Sequence, residues 1–118
     1  MSANADDLRN WYGEAIGIST TLTAGAAAAV KNAAPLENGR YRIQFHTLTG
    51  AVAKVWCRQG PHASVAATKA DPSMPVEVNV APRPFFFVMV RDKLDGLSFI
   101  ADSDTCDVTI TKVSRGKN

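Results

Sequence analysis

The sequence contains few of the residues from which metal sites are built. Its 118 residues include two histidines and two cysteines. His46 and His62 are sixteen residues apart, and neither has a cysteine, histidine or carboxylate at a familiar metal-ligand spacing. We therefore expect no metal site and no cofactor, with both histidines serving as ordinary polar side chains.

Catalytic motifs are also missing. There is no Gly-x-Ser-x-Gly elbow and no glycine-rich phosphate loop after a strand. Cys57 and Cys106 alternate with apolar neighbours, which predicts buried free thiols. A disulfide between them remains open if their strands are neighbours. The sequence thus favours a protein that is not an enzyme.

An acidic run between the last two predicted strands is the one weak sign of a cation site. It places Asp102, Asp104 and Asp107 at i, i+2 and i+5, but it lacks the glycine and terminal glutamate of an EF-hand. We interpret it as a solvated turn. An enzyme that uses a metal or a hydrolytic site would require these carboxylates to meet a histidine in space.

Neither charge nor hydrophobicity indicates nucleic acid or a membrane as partner. Thirteen Lys and Arg against eleven Asp and Glu give a formal net charge of +2, which is small and dispersed. The N-terminal residues carry acidic groups and no apolar segment, so we expect no signal peptide. Residues 24–30 form the longest stretch of low polarity, which is too short to span a bilayer.

What the sequence does contain is alternation of apolar and polar residues with a period of two, which is typical of strands. Nine short segments show it or are bounded by turn residues: 18–23, 28–31, 40–47, 51–58, 63–68, 76–80, 85–90, 97–101 and 106–113. Two of them, 28–31 and 63–68, are weak, so we expect about eight strands. Thr49–Gly50 predicts a hairpin between the third and fourth of these segments. The fold class expected is all-β, an antiparallel β-sandwich or jelly roll of about eight strands.

The chain divides into three regions. Residues 1–15 predict an N-terminal arm or short helical segment, residues 16–113 the β-sandwich domain, and residues 114–118 a flexible basic tail. Within the arm, Leu8, Trp11 and Tyr12 stand at i, i+3 and i+4, on one face of a helix. That face could cover the chain's own domain or reach a neighbouring subunit.

Six consecutive apolar residues, Phe85 to Val90, are the most informative feature. A strand with one solvent-exposed face would alternate apolar and polar residues, so the side chains on both faces of this strand need burial. We expect one set to fill the core and Phe86, Val88 and Val90 to meet a second subunit, the arm or a loop. Trp56, predicted on the face opposite Cys57, is a further candidate for an interface or a stacking surface.

Four short segments carry a resemblance to a known family. They are Gly39-Arg-Tyr41-Arg-Ile43, Met74-Pro75-Val76, Gly96-Leu-Ser-Phe-Ile-Ala101 and Val108-Thr-Ile110-Thr. Read in order, they make residues 16–113 similar in layout to the small β-sandwich virion proteins of tailed bacteriophages, which decorate or cement capsids. The long N-terminal segment departs from that layout.

The resemblance implies a structural protein of the virion, made in the host cytoplasm, that binds the assembled head lattice without catalysis. Its partners would be copies of itself, often as trimers, and the major capsid protein or another virion protein. The alternative expectation is a carbohydrate- or peptide-binding β-sandwich module, such as a tail or fibre accessory protein. In that case Trp56, Tyr41 or an exposed phenylalanine would supply the stacking surface.

Overall fold

The computed structural model describes residues 13–17, 19–91 and 94–114. Within these residues the protein is all-β and has no helix. Leu8, Trp11 and Tyr12 lie outside the described residues, as do residues 115–118 of the predicted tail at 114–118. The eight strands are β1 (Thr20–Gly25), β2 (Val30–Lys31), β3 (Gly39–Leu48), β4 (Lys54–Pro61), β5 (Met74–Glu77), β6 (Phe85–Val90), β7 (Asp95–Ala101) and β8 (Thr105–Val113).

The strands form two antiparallel four-stranded sheets. The first sheet has the order β1-β8-β3-β6 and the second has the order β2-β7-β4-β5. Along the chain, each strand crosses to the opposite sheet except at the step from β4 to β5. This strand order is that of a jelly roll, in which two interlocked Greek keys make a sandwich. The predicted all-β sandwich is confirmed.

The predicted hairpin between the third and fourth strands is wrong. β3 belongs to the first sheet and β4 to the second, so residues 49–53 form an arch between sheets. A register shift between His46 and Leu48 and the positive φ of Thr47 (50°) and Gly50 (56°) bend the chain away from the sheet. A turn signal specifies a reversal of direction but not the sheet in which the next strand pairs.

The weak segment at 63–68 is also not a strand. It lies across the outer face of the second sheet, where the Ala67 N–H donates to Ser98 Oγ at 2.9 Å. Val65, Ala67 and Ser98 are buried by this packing. The segment therefore shields the sheet without pairing with it.

The core lies between the two sheets and is apolar. Phe45 is at its centre, with ring centroids 5.8 Å from Phe86 and 6.4 Å from Phe99. Cys57 and Cys106 face this layer as free, buried thiols, as predicted. The other residues of the buried cluster are Ala24, Tyr41, Ile43, Val52, Val55, Val78, Val90, Leu97, Ala101, Val108 and Ile110.

The alternation within the phenylalanine strand is as predicted, but the assignment of its faces is reversed. Phe86 is opposite Ile43 and Val88 is opposite Tyr41 across the β3–β6 ladder. Cross-strand neighbours share a face, so Phe86, Val88 and Val90 point into this chain's own core, where Val90 is 1% exposed. The set on the outer face is instead Phe85, Phe87 and Met89.

Candidate interaction site at the β6 edge

β6 is an edge strand that lacks the usual protection. It pairs with β3 on one side, and within the described residues no strand pairs with its other side. Among the other three edges, β2 has two residues, β5 has four and contains Pro75, and β1 is rich in threonine. β6 has six apolar residues without a proline, glycine or charge. Short length, proline and charge are the features that keep edges from pairing.

The backbone groups on the open side of β6 belong to its odd-numbered residues. The Phe45 N–H donates to the Pro84 carbonyl at 3.4 Å, which places the even-numbered backbone groups toward β3. Successive residues of a strand direct their backbone groups to opposite sides. Gln59 Nε2 donates to the Met89 carbonyl at 3.1 Å, which agrees with Met89 facing the open side. The backbone groups of Phe87, in the middle of the strand, face the same way.

The outer face of β6 is aromatic and carries a cation. The rings of Phe85 and Phe87 are 5.8 Å apart and nearly perpendicular. The Arg40 guanidinium lies 3.7 Å from the centre of the Phe87 ring, a cation–π contact. Phe85, Phe87 and Met89 are each half-buried. This face remains partly accessible in the single chain.

Below the β6 edge, the open side of the sandwich forms a groove of about 420 Å³. Phe86 and Val88 form one wall, and Met74 and Pro72 form the opposite wall. The floor is core, and Arg58 and Gln59 complete the lining. A mostly apolar cleft with a few polar groups is the usual form of a ligand or peptide site.

Among the described residues, the structure does not bring Trp56 together with the predicted interface residues of β6. Trp56 lies on the outer face of the second sheet, opposite Ile100 on β7 and Pro75 on β5, and it is half-buried. Its predicted position, on the face opposite Cys57, is correct. The second sheet lies between Trp56 and the core in which Phe86, Val88 and Val90 are packed.

The two thiols are unsuited to nucleophilic chemistry. Burial, together with a smaller effect of the charge that Cys106 would carry, raises the pKa of Cys57 to about 12. Burial likewise raises the pKa of Cys106 to about 11. A reactive cysteine needs a lowered pKa and exposure.

Carboxylates of the acidic turn between β7 and β8 accept hydrogen bonds from the arch between β3 and β4. Asp104 Oδ2 accepts the Ala51 N–H at 2.7 Å, and Asp102 Oδ1 accepts the Ala53 N–H at 3.1 Å. Desolvation alone would raise the pKa of Asp102, but hydrogen bonds from backbone N–H groups, led by that of Ala53, outweigh it and lower the pKa. These carboxylates hold backbone groups in place.

The histidines also make structural contacts. His46 Nε2 lies 2.6 Å from Thr109 Oγ1, and His62 Nε2 lies 2.6 Å from the Asn32 carbonyl oxygen. In the described part of the chain no three His, Cys, Asp or Glu side chains are close enough to hold a metal ion.

No helix long and apolar enough to cross a membrane is present among the described residues.

Sequence reasoning missed the residues that shape the groove. Arg58 ends a segment with ordinary alternation, at 51–58, whereas Gln59 and Met74 lie just outside the predicted strands. Their meeting with β6 depends on strand order, for which the sequence carries no signal. Met74, with 49% of its surface exposed, lies between Pro72 and Pro75, and this proline-rich turn is the sequence signal that could have identified it.

Comparisons with known proteins give no assignment. No protein-family model, no curated protein and no solved structure matches the chain.

Proposed function

We propose that this protein is a non-enzymatic structural component of tailed-phage virions, a decoration or cement protein that associates with itself and with the assembled head lattice. The observation that carries this proposal is an eight-stranded jelly roll with one unprotected apolar edge, β6. The resemblance of residues 16–113 to small virion proteins points in the same direction.

The jelly roll supports the proposal by analogy. It is a recurrent architecture of viral capsid proteins, although lectins and cupins use it as well. What favours assembly among these roles is the edge, because an unpaired apolar strand is a ready surface for joining another chain. Many modest contacts of this kind bind a lattice tightly when they act together.

The proposal is tested on virions that package the gene for this chain. Antibodies against the purified protein should label intact particles in electron micrographs at regular positions. The protein added back to stripped particles should sediment with them. A purified protein that neither labels nor binds its own particles would refute the role in the virion.

The groove favours a second candidate, a peptide- or carbohydrate-binding module. Its apolar walls and the adjacent Arg58 and Gln59 suit an extended peptide. Trp56, between Lys54 and Arg58 on the outer face of the second sheet, is the corresponding platform for a sugar ring.

Arrays of glycans and of extended peptides distinguish the two ligands. Peptide binding in the groove should be lost in Met74→Lys and retained in Val80→Ala, a matched change at another exposed apolar residue. Glycan binding should be lost in Trp56→Ala. Absence of binding to both arrays would remove this candidate.

A further inference from the structure

We propose that Asn38 is a site of spontaneous deamidation, which converts its side-chain amide to a carboxylate and adds a negative charge beside the end of β6. Asn38 is followed by Gly39, and none of the other asparagines of the chain precedes a glycine. This inference goes beyond the proposed function and does not depend on it.

Deamidation of an asparagine begins with attack by the backbone nitrogen of the next residue. Here the Gly39 nitrogen forms a bond to Asn38 Cγ while the bond from Cγ to Nδ2 breaks. The leaving nitrogen takes up the proton that the Gly39 amide loses and departs as ammonia, which leaves a cyclic succinimide. Water then opens this ring at either carbonyl and gives aspartate or isoaspartate. The reaction consumes one water and needs no enzyme or oxidant.

Asn38 meets both structural requirements of this attack. Its side chain is exposed, in a bend immediately before β3, so the amide is free to turn toward the following peptide bond. Gly39 has no Cβ atom, so no side chain crowds the attacking nitrogen. Exposure also admits the water that opens the succinimide.

Neither of the other two asparagines among the described residues meets both requirements. Asn79 is exposed, but the next residue is Val80, whose branched Cβ crowds the nitrogen. Asn32 is 5% exposed. Its Nδ2 donates to the Ala34 carbonyl and its Oδ1 accepts the Leu97 N–H at 2.8 Å, so its side chain is held at both ends.

The fold restrains the Gly39 nitrogen only weakly. Gly39 is the first residue of β3 and is paired with Val90, the last residue of β6. The Phe45 N–H donates to the Pro84 carbonyl, and by alternation Gly39 and Val90 form the terminal hydrogen-bonded pair of this ladder. The ends of elements open at little cost in free energy, so the nitrogen is released often enough to react.

A positive charge near Gly39 favours the attack. A Cβ atom on Gly39 would contact Lys112 Cε, and Lys112 Nζ lies 3.7 Å from the same position. An ammonium stabilises the anionic nitrogen that forms when the amide loses its proton. Glu37 pairs with Lys112 at 3.1 Å, but its side chain is 84% exposed, so water screens much of its opposing charge.

The product changes the charge at the end of β6. Asn38 lines a cleft of about 370 Å³ together with Gly39, Met89, Val90 and Arg91. A carboxylate at position 38 would share this cleft with Arg91 and would lower the formal net charge of +2 by one. Isoaspartate would also lengthen the backbone by one methylene immediately before β3.

Mass spectrometry of the aged protein tests the proposal. The purified chain is incubated in warm, mildly alkaline buffer, and trypsin then cleaves after Lys31 and Arg40. The resulting peptide carries both Asn32 and Asn38. Its fragment ions should place the gain of about 1 Da that accompanies conversion of an amide to a carboxylate at Asn38 and not at Asn32. Incubation in heavy-oxygen water should leave the label at Asn38, because the new oxygen comes from water.

Two variants are matched controls. Asn38→Gln should gain no mass at position 38 over the same period, because the longer side chain cannot close a five-membered ring. Val80→Gly should acquire the reaction at Asn79, since it places a glycine after a second exposed asparagine. An isoaspartyl methyltransferase should methylate the aged wild-type protein and leave aged Asn38→Gln unmodified.

Two outcomes would overturn the inference. One is a wild-type protein in which Asn38 gains mass no faster than Asn79. The other is reaction of Asn38 in urea-unfolded protein but not in folded protein over the same period, which would show that the β3–β6 ladder holds the Gly39 nitrogen in place. Circular dichroism before and after incubation verifies that the folded samples retain their structure.

Discussion

Phe86 and Phe87 are neighbours in sequence but lie in different environments. Phe86 packs against Phe45 in the core, whereas Phe87 lies on the outer face beneath Arg40. The chemistry of the two side chains is identical. The difference arises from the register of β6 on β3, which the run of six apolar residues does not encode.

Alanine substitution should separate these two environments. Phe86→Ala should lower the free energy of unfolding by about 2–4 kcal/mol, because it leaves a cavity beside Phe45. Phe87→Ala, the matched control, should lower it by about 1 kcal/mol or less. Urea denaturation at low protein concentration measures both, and equal losses would contradict the assignment of faces.

The buried thiols predict a loss of stability at alkaline pH. The folded-state pKa values of about 12 for Cys57 and about 11 for Cys106 exceed the value of about 8.5 expected in the unfolded chain. Above that lower value the unfolded chain releases protons that the folded chain retains. The free energy of unfolding therefore falls as pH rises from about 8.5 toward 11.

Urea midpoints at pH 7, 9 and 10 measure this effect. The double variant Cys57→Ala and Cys106→Ala should show a shallower decline than the wild type, because the two titrating groups are removed. An identical slope in the two proteins would show that the thiols do not contribute.

At the scale of elements, the arch between β3 and β4 is the feature that local patterns misjudged. The strands at 40–47 and 106–113 could be predicted because the alternation of buried and exposed residues is visible in adjacent positions of the sequence. The sheet in which the next strand pairs depends instead on contacts between residues far apart in the chain. It depends here on β8, whose Thr105 carbonyl accepts the Thr49 N–H at 3.0 Å.

Gly50 is the residue on which this arch depends. Its φ is +56°, and a Cβ atom there would clash with Asp104 Oδ2. Gly50→Ala should therefore cost roughly 1–3 kcal/mol of folding free energy, from the left-handed backbone and displacement of the carboxylate.

Gly25→Ala is the matched control for that substitution. A Cβ atom at Gly25 would meet its nearest neighbour at 4.0 Å, an ordinary contact, so stability should change by no more than about 0.5 kcal/mol. Thermal melts of the two variants make the comparison. A larger loss for Gly25→Ala would refute this account of the arch.

At the scale of the whole molecule, the two sheets share one core and exchange strands at almost every step. Val108 in the first sheet and Val55 in the second are both 0% exposed. The apolar inner face of each sheet is shielded from water only by the other sheet. The sandwich should therefore unfold as a single cooperative unit.

Val108→Ala and Val55→Ala test this cooperativity. Each should lower the free energy of unfolding by about 1.5–3 kcal/mol. Each should also lower the protection of amides in β3 and β4 together when hydrogen exchange is followed in rising urea. Loss of protection confined to the substituted sheet would contradict the prediction.

The candidate site was only partly predictable. The phenylalanine run identified β6 as the strand whose two faces both need apolar partners, because strand side chains alternate. The exposed edge and the groove with Arg58, Gln59 and Met74 were not predictable. They exist because β6 ends the first sheet by pairing with β3, a strand distant in sequence.

Local chemistry in the sequence therefore determined the all-β class, the positions of the main strands, the burial of Cys57 and Cys106, and the need of β6 for apolar partners on both faces. Tertiary structure alone decided the strand order, the face of β6 that lines the core, and the edge left open. Periodicity is a property of adjacent residues, whereas register and strand order depend on contacts between residues far apart in the chain.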